Sequence, residues 1–269
     1  MGKIQEAIES AKRSYQGIPG RGQSSVTLNP SKTTTAQVSA QPAIPELAAR
    51  KVGLVNSNLL EERVIAGIDY DDRVEPYRQL RTQVLKKMRD KGWHSLAITS
   101  AHSFAGKTLT AVNLAISISR DVNYQVLLVD LDLRTPSVNQ KLNIQVEHGL
   151  VDYLHGKANL NDVMVNPEYD RLFVLPGKST KKFSSELLAS PQMKQLLHDL
   201  ANDRDPSRIL LLDLPPVLRN DDALVITPVA DATLFVIEDG VTTKEELKQS
   251  LRLLKEVNVI GTVLNKVRH

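Results

Sequence analysis

From about residue 58 the chain alternates short, uninterrupted apolar runs with stretches whose apolar residues recur every three to four positions. The runs are SLAITS (95–100), QVLLVD (125–130), RLFVLP (171–176), RILLLD (208–213), ATLFVIE (232–238) and VIGTVLN (259–265). Between them, 107–120, 148–156, 184–202, 220–229 and 243–256 suit helices. Strands that are apolar at every position are buried on both faces, so they belong to a mostly parallel sheet with helices on each side. The pattern predicts a doubly wound α/β domain over 58–269. Such sheets take ligands at the carboxyl ends of their strands.

The N-terminal part has a different texture. In KIQEAIESAKRSY (3–15), Ile4, Ala7, Ile8 and Ala11 fall at helical spacing, which predicts a short helix within residues 1–16. So short a helix is marginal alone. It reads as a frayed tail helix, a partner-docking helix or a membrane-surface helix. Residues 17–46 are rich in Gly, Pro, Ser, Thr and Gln and predict a disordered, flexible linker, which extends to residue 57.

Composition narrows the classes. The 269 residues accommodate one large domain plus a tail. A net charge of +3 argues against a whole-molecule nucleic-acid footprint. The absence of cysteine excludes disulfides and zinc–cysteine sites and fits a reducing cytoplasm. No apolar run reaches the ~18–20 residues of a membrane span, and MGKIQEAIES lacks the apolar core of a signal peptide. Membrane contact is therefore expected through a partner or through weak surface binding.

The candidate chemistry sits at the strand ends. TSAHSFAGKTLTAVNLA (99–115) follows the first apolar strand and opens a helix, and Ala101, Gly106, Lys107 and Thr108 match A/G-x-x-x-x-G-K-[ST]. Backbone N–H groups around Ala105, Gly106 and Leu109 would face an anion there. Lys107 can reach β- and γ-phosphates, and Thr108 offers a hydroxyl to Mg²⁺. VLLVDLDLRTPS ends a second strand with Asp130 and Asp132. Two carboxylates that close need a cation between them and can serve a metal, a water or an incoming hydroxyl. In ILLLDLPPV, Asp213 ends a third strand and suits a Mg²⁺-side carboxylate. Asn265 follows the last strand, where an amide can pair with both a donor and an acceptor on adenine's edge. In VEPYRQLRTQVL, Glu75, Arg78 and Arg81 fall at i, i+3 and i+6 near one helix face, where they can meet a neighbouring subunit.

Several of these stretches together carry a resemblance. Asp130, Asp132, Arg134 and Pro136 form D-x-D-x-R-x-P; HGLVDYLHGKANLNDVM (148–164), SSELLASPQMKQLL (184–197) and DLPPVLRNDDALVITPVAD (213–231) follow in order. From roughly residue 60 onward the chain resembles the bacterial tyrosine kinases of capsule and exopolysaccharide synthesis, within the MinD/ParA-like P-loop ATPases. The resemblance implies ATP/ADP and Mg²⁺ as cofactors, with Lys107, Asp130, Asp132 and Asp213 in the catalytic role and Thr108, Asp130 and Asp213 at the metal. It supports Asn265 at adenine and a homo-oligomer joined through Glu75, Arg78 and Arg81. It also implies a cytoplasmic protein recruited to the inner face of the plasma membrane by a membrane-anchored polysaccharide co-polymerase or chain-length regulator.

The departures keep other readings open. Where the family loop reads roughly P-G-E-G-K-[ST], this chain has Ser103, Phe104 and Ala105 before Gly106. Phe104 costs conformational freedom if its φ is positive. Leu214 replaces the usual threonine after Asp213, and His102 stands where MinD/ParA ATPases carry their signature lysine. The tyrosines (15, 70, 77, 124, 153 and 169) are scattered, and NKVRH follows the last strand without a tyrosine cluster, so self-phosphorylation is expected to be weak, with Tyr15 the first acceptor to check. The competing readings are a MinD/ParA-like positioning ATPase and a non-catalytic nucleotide-binding adaptor.

Overall fold

The computed structural model describes residues 49–53, 59, 62–68, 71–180, 183–202, 205 and 207–267. The helix expected at 3–15, the linker at 17–46, Tyr15 and Tyr70 lie outside the described residues.

Eight strands form one sheet: β1 Arg50–Lys51, β2 Ser95–Ser100, β3 Gln125–Asp130, β4 Val165–Asn166, β5 Leu172–Leu175, β6 Arg208–Asp213, β7 Ala232–Glu238 and β8 Val259–Asn265. Their order is β1-β4-β5-β3-β6-β2-β7-β8. All neighbours are parallel except β4 and β5. The six longer strands coincide with the six apolar runs, with β5 shorter than its run. β1 falls inside 17–57, the stretch read as linker; its strand pairing continues as Val52 N–H donates to Asn166 O at 2.9 Å.

Successive strand residues face opposite sides. Leu96, Ile98, Val126 and Leu128 pack on one side of the sheet, while Ala97, Leu127, Val129, Leu210 and Leu212 pack on the other. Each fully buried leucine or isoleucine contributes roughly 1.5–3 kcal/mol.

The first layer contains α1 Glu75–Lys91 and α2 Lys107–Ser119. Pro76 starts α1 where a missing N–H costs nothing, and Gly92 at φ 66° ends it. α1 buries Val84, Leu85 and Met88. Short helices α3 Val138–Lys141, α4 Leu150–Leu154 and α5 Leu160–Val163 follow β3. The single helix expected over 184–202 is two, α6 Ser184–Leu188 and α7 Pro191–Asn202. Pro191 disfavours helical backbone at Ser190. Ser190 instead caps α7, its Oγ accepting from Met193 N–H at 3.2 Å. α8 Asp222–Ile226 and α9 Lys244–Leu253 complete the set among the described residues, and Thr243 and Glu246 close a capping box on α9.

This topology positions the site. β6 lies between β3 and β2, with Asp130 opposite Asp213 and Ile98 opposite Asp213 in the register. The three motif-bearing strands therefore deliver their last residues to one edge, above the start of α2.

Candidate functional site

The loop 101–106 leaves β2 and enters α2 at Lys107. Ala101 and Ala105 are fully buried. Gly106 has φ 95°, a conformation that favours glycine. A Cβ there would lie 1.9 Å from Asn265 Nδ2. Phe104 takes φ 67° as a non-glycine and is 87% exposed, so its backbone is strained and its ring stands largely in solvent. Three braces hold the loop: Asn265 Nδ2 donates to Ala105 O at 2.9 Å, Arg219 Nη1 donates to Ser103 Oγ at 2.8 Å, and His102 Nε2 lies 3.2 Å from Thr242 Oγ1.

Lys107, Thr108, Asp132 and Asp213 converge. Lys107 is buried; its Nζ donates to Asp132 Oδ2 at 2.7 Å and lies 4.0 Å from Asp213 Oδ1. Burial opposes the Lys107 charge, but Asp213 and Asp132 outweigh it and hold the ammonium above its ordinary value. Thr108 Oγ1 donates to Asp213 Oδ2 at 2.6 Å. Ser137 Oγ donates to Thr108 Oγ1 at 3.2 Å. Asp213 Oδ1 is buried without a hydrogen-bond partner, a costly condition that an incoming ligand would relieve.

Asp130 differs from its neighbours. Its carboxylate accepts from the N–H groups of Asp132, Ser137 and Val138 at 3.2, 2.9 and 3.0 Å. It thereby shapes the loop that carries Asp132 and Ser137. Burial, reinforced by the charge of Asp213, pushes Asp130 up to about 8. Burial likewise pushes Asp213 up to about 6, against the pull of Lys107 and Thr108. Among the described residues no group of three or more His, Cys, Asp or Glu forms a metal cage. A hydroxyl and an unpartnered carboxylate oxygen are hard donors, of the kind that share a small divalent cation with phosphate oxygens and water.

A cavity of about 510 Å³ opens over this cluster. Gly106, Lys107, Thr108, Leu109 and Asp132 line it, with Arg63, Lys141, Arg219 and Lys266 adding positive charge and Glu62 negative charge. The excess of cations suits a polyanion.

Two residues expected at the adenine and at a subunit contact also brace the fold itself. Asn265 commits its amide N–H₂ to Ala105 O and acts as a strut for the loop. Arg81 Nη1 donates to Ser117 O at 3.0 Å, near the end of α2 in the same chain, while exposed Arg78 and Glu75 face each other at 3.7 Å. Sequence reasoning missed Ser137, Arg219, Lys141, Glu62 and Arg63. It also missed Asn113, a fully buried amide in the apolar run of α2. That isolated asparagine among T-A-V-N-L-A-I is a signal that could have been read.

Residues 96–269 match the CobQ/CobB/MinD/ParA nucleotide binding domain family. The tyrosine-protein kinase YwqD of Bacillus subtilis is 32% identical over 194 residues, covering 71% of this chain and 80% of YwqD. The tyrosine-protein kinase Etk of Escherichia coli K12 is 34% identical over 199 residues, 73% of this chain but 27% of Etk, so the chain spans about a quarter of that relative. The solved kinase domain of Escherichia coli ETK superposes with a TM-score of 0.68 at 33% identity, over 74% of this chain and 77% of that one. MinD of Pyrococcus horikoshii with Mg-ADP gives a TM-score of 0.54 at 22% identity, over 64% and 69%, a likeness of fold.

Proposed function

This chain belongs to the CobQ/CobB/MinD/ParA nucleotide-binding family and, within it, to the bacterial tyrosine-protein kinases, and from that premise we propose that it regulates exopolysaccharide or capsule synthesis or export through ATP-dependent assembly and phosphotransfer to tyrosine. The observation that carries this reading is the convergence of Lys107, Thr108, Asp132 and Asp213 beneath one cation-rich cavity.

The residues suit Mg²⁺ and nucleotide. Thr108 and Asp213 would hold the metal, directly or through water, and Asp213 Oδ1 would gain the partner it lacks. Bound Mg²⁺ neutralises charge on the β- and γ-phosphates. Lys107 would exchange its contact with Asp132 for phosphate oxygens. Asp132, released from Lys107, becomes an acceptor for a hydroxyl proton at the edge of the cavity. Asp130 acts behind them as a positioning residue, holding the Asp132–Val138 turn through its three amide contacts. Asn265 keeps the loop in register with β8.

Assembly would use the exposed Glu75 and Arg78 of α1, with Arg81 fixing that helix to α2. Among the described residues no helix is long and apolar enough to cross a membrane. A membrane-anchored polysaccharide co-polymerase or chain-length regulator is the proposed partner that brings the protein to the inner face of the plasma membrane.

The test pairs binding with phosphate tracking. Wild type should bind a fluorescent ATP analogue in the presence of Mg²⁺, and Lys107→Met should lose at least about tenfold in affinity, because a point cation leaves a site built around it. Equal affinity in the two proteins would remove the nucleotide assignment. Free phosphate release measured beside phosphosite mass spectrometry then separates hydrolysis from transfer to tyrosine. The adaptor reading is favoured by the strained, exposed Phe104 and predicts binding without either product. The positioning-ATPase reading is disfavoured because His102 is tied to Thr242 and no lysine stands in its place.

A further inference from the structure

The segment that precedes α1 runs along the phosphate-loop helix and is fastened to it by Asn113, and just past the helix end Arg120 Nη1 donates to Ala66 O at 3.2 Å. Asn113 Oδ1 accepts from the N–H groups of Ile65 and Ala66 at 2.8 and 2.9 Å, and Asn113 Nδ2 donates to Arg63 O at 3.2 Å. The same Nδ2 donates to Leu109 O at 3.0 Å, within the first turn of α2. Val64, Ile65 and Ala66 are buried. Arg63 itself is exposed and takes φ 59°, a left-handed conformation that strains an L-residue. This left-handed residue directs the chain so that Val64 enters the core while Arg63 lines the cavity over Lys107 and Thr108.

The other cations on that wall have partners. Lys107 pairs with Asp132, Lys141 with Glu62, Lys266 with Glu238, and Arg219 donates to Ser103. Among the described residues the Arg63 guanidinium has no hydrogen bond or ion pair. The turn at Arg63 serves the fold by sending Val64 into the core, but an unpaired guanidinium beside a phosphate loop contributes nothing evident to the free protein. It contributes to binding once an anion arrives.

We propose that Arg63 is a nucleotide-contacting residue, delivered by the Asn113-fastened segment to pair with the phosphate chain of the bound nucleotide. The inference rests on the nucleotide reading given above. It assigns to the segment before α1 a direct part in the site, which the strand-end motifs alone do not give it. Because the contact is with phosphate, it is indifferent to the base. Its planar fork also favours arginine over lysine.

The experiment compares wild type with Arg63→Ala, Arg63→Lys and Arg63→Gly, using fluorescent ATP and GTP analogues with Mg²⁺, alongside thermal unfolding without nucleotide. Arg63→Ala should weaken both analogues by about tenfold and by the same factor, since one charge-assisted contact is lost. Arg63→Lys should recover part of that loss. Arg63→Gly should lose as much affinity as Arg63→Ala yet raise the nucleotide-free Tm by about 2 °C, because the strain is relieved. Wild-type affinity in Arg63→Ala overturns the proposal and leaves the nucleotide site standing. So does a loss confined to one base. A loss of affinity that comes with a falling nucleotide-free Tm makes Arg63 structural and overturns it too. Failure of wild type itself to bind either analogue defeats the nucleotide reading, and the proposal with it.

Discussion

Phe104 holds a left-handed backbone at φ 67° with its ring 87% exposed, at the place in the loop where a glycine would cost nothing. Replacing it removes strain of about 1–2 kcal/mol, and the looser unfolded chain takes back about half of that. Phe104→Gly should therefore raise the nucleotide-free Tm modestly, by about 1–2 °C, and leave ATP affinity undiminished. Differential scanning fluorimetry and the ATP-analogue titration check both halves. A lower Tm would mean that the ring has a packing role which its exposure does not suggest. The residue scale also shows what a sequence conceals. Lys107, Thr108, Asp132 and Asp213 were legible because backbone chemistry and strand ends dictate their spacing. Ser137 and Arg63 were not, because their relevance lies in contacts with Thr108 and the cavity wall that only the folded loops create. Asn265 was legible as a polar strand end, but its contact with Ala105, 160 positions away, could not be read from either stretch.

At the scale of elements, the long strands were readable because burial on both faces leaves no polar position to blur the pattern. β1 and β4 have two residues each, too few to show any period. The break in the 184–202 pattern was legible at Pro191, which belongs in a first helical turn and not a helix interior, but the apolar period continues on both sides and hides it. Helix α1 carries a prediction of its own. Arg81 supports α2 by donating to the Ser117 carbonyl, whereas Arg78 is exposed and meets only Glu75 within its helix. Arg81→Ala should lower Tm by about 2–4 °C, the effect of losing one charged hydrogen bond. Arg78→Ala should leave Tm unchanged within about 1 °C, since exposed i, i+3 pairs contribute little. If α1 joins subunits, both changes should reduce the mass seen by light scattering with Mg-ATP. Unchanged oligomers in Arg78→Ala would exclude that face from assembly.

For the whole molecule, the buried carboxylates make stability depend on pH and metal. Asp130 is pushed up to about 8 and Asp213 to about 6, both well above an unfolded aspartate near ~3.9. Between those values the folded state binds more protons than the unfolded state, so their contribution to stability falls as pH rises. The contribution is complete below about pH 4 and is lost as pH climbs through the raised values. A bound cation would act in the opposite sense, since it would engage the ionised form of Asp213. The Tm increment given by Mg-ADP should therefore be larger at pH 8.5 than at pH 5.5. Asp213→Asn, measured with EDTA, should flatten the decline across that interval. An increment that shrinks with rising pH would contradict the assignment of Asp213 to the cation.

The strut between Asn265 and Ala105 has a consequence for the order in which the site comes into being. A ribosome emits the loop long before it emits β8. The carbonyl of Ala105 then waits for an amide encoded 160 codons later. Until that strand docks beside β7, Gly106 has no side chain against it, and only the contacts at Ser103 and His102 hold the loop. A nascent protein stalled before β8 has its lysine and its carboxylates but lacks the contact that fixes the last turn of the loop before Lys107.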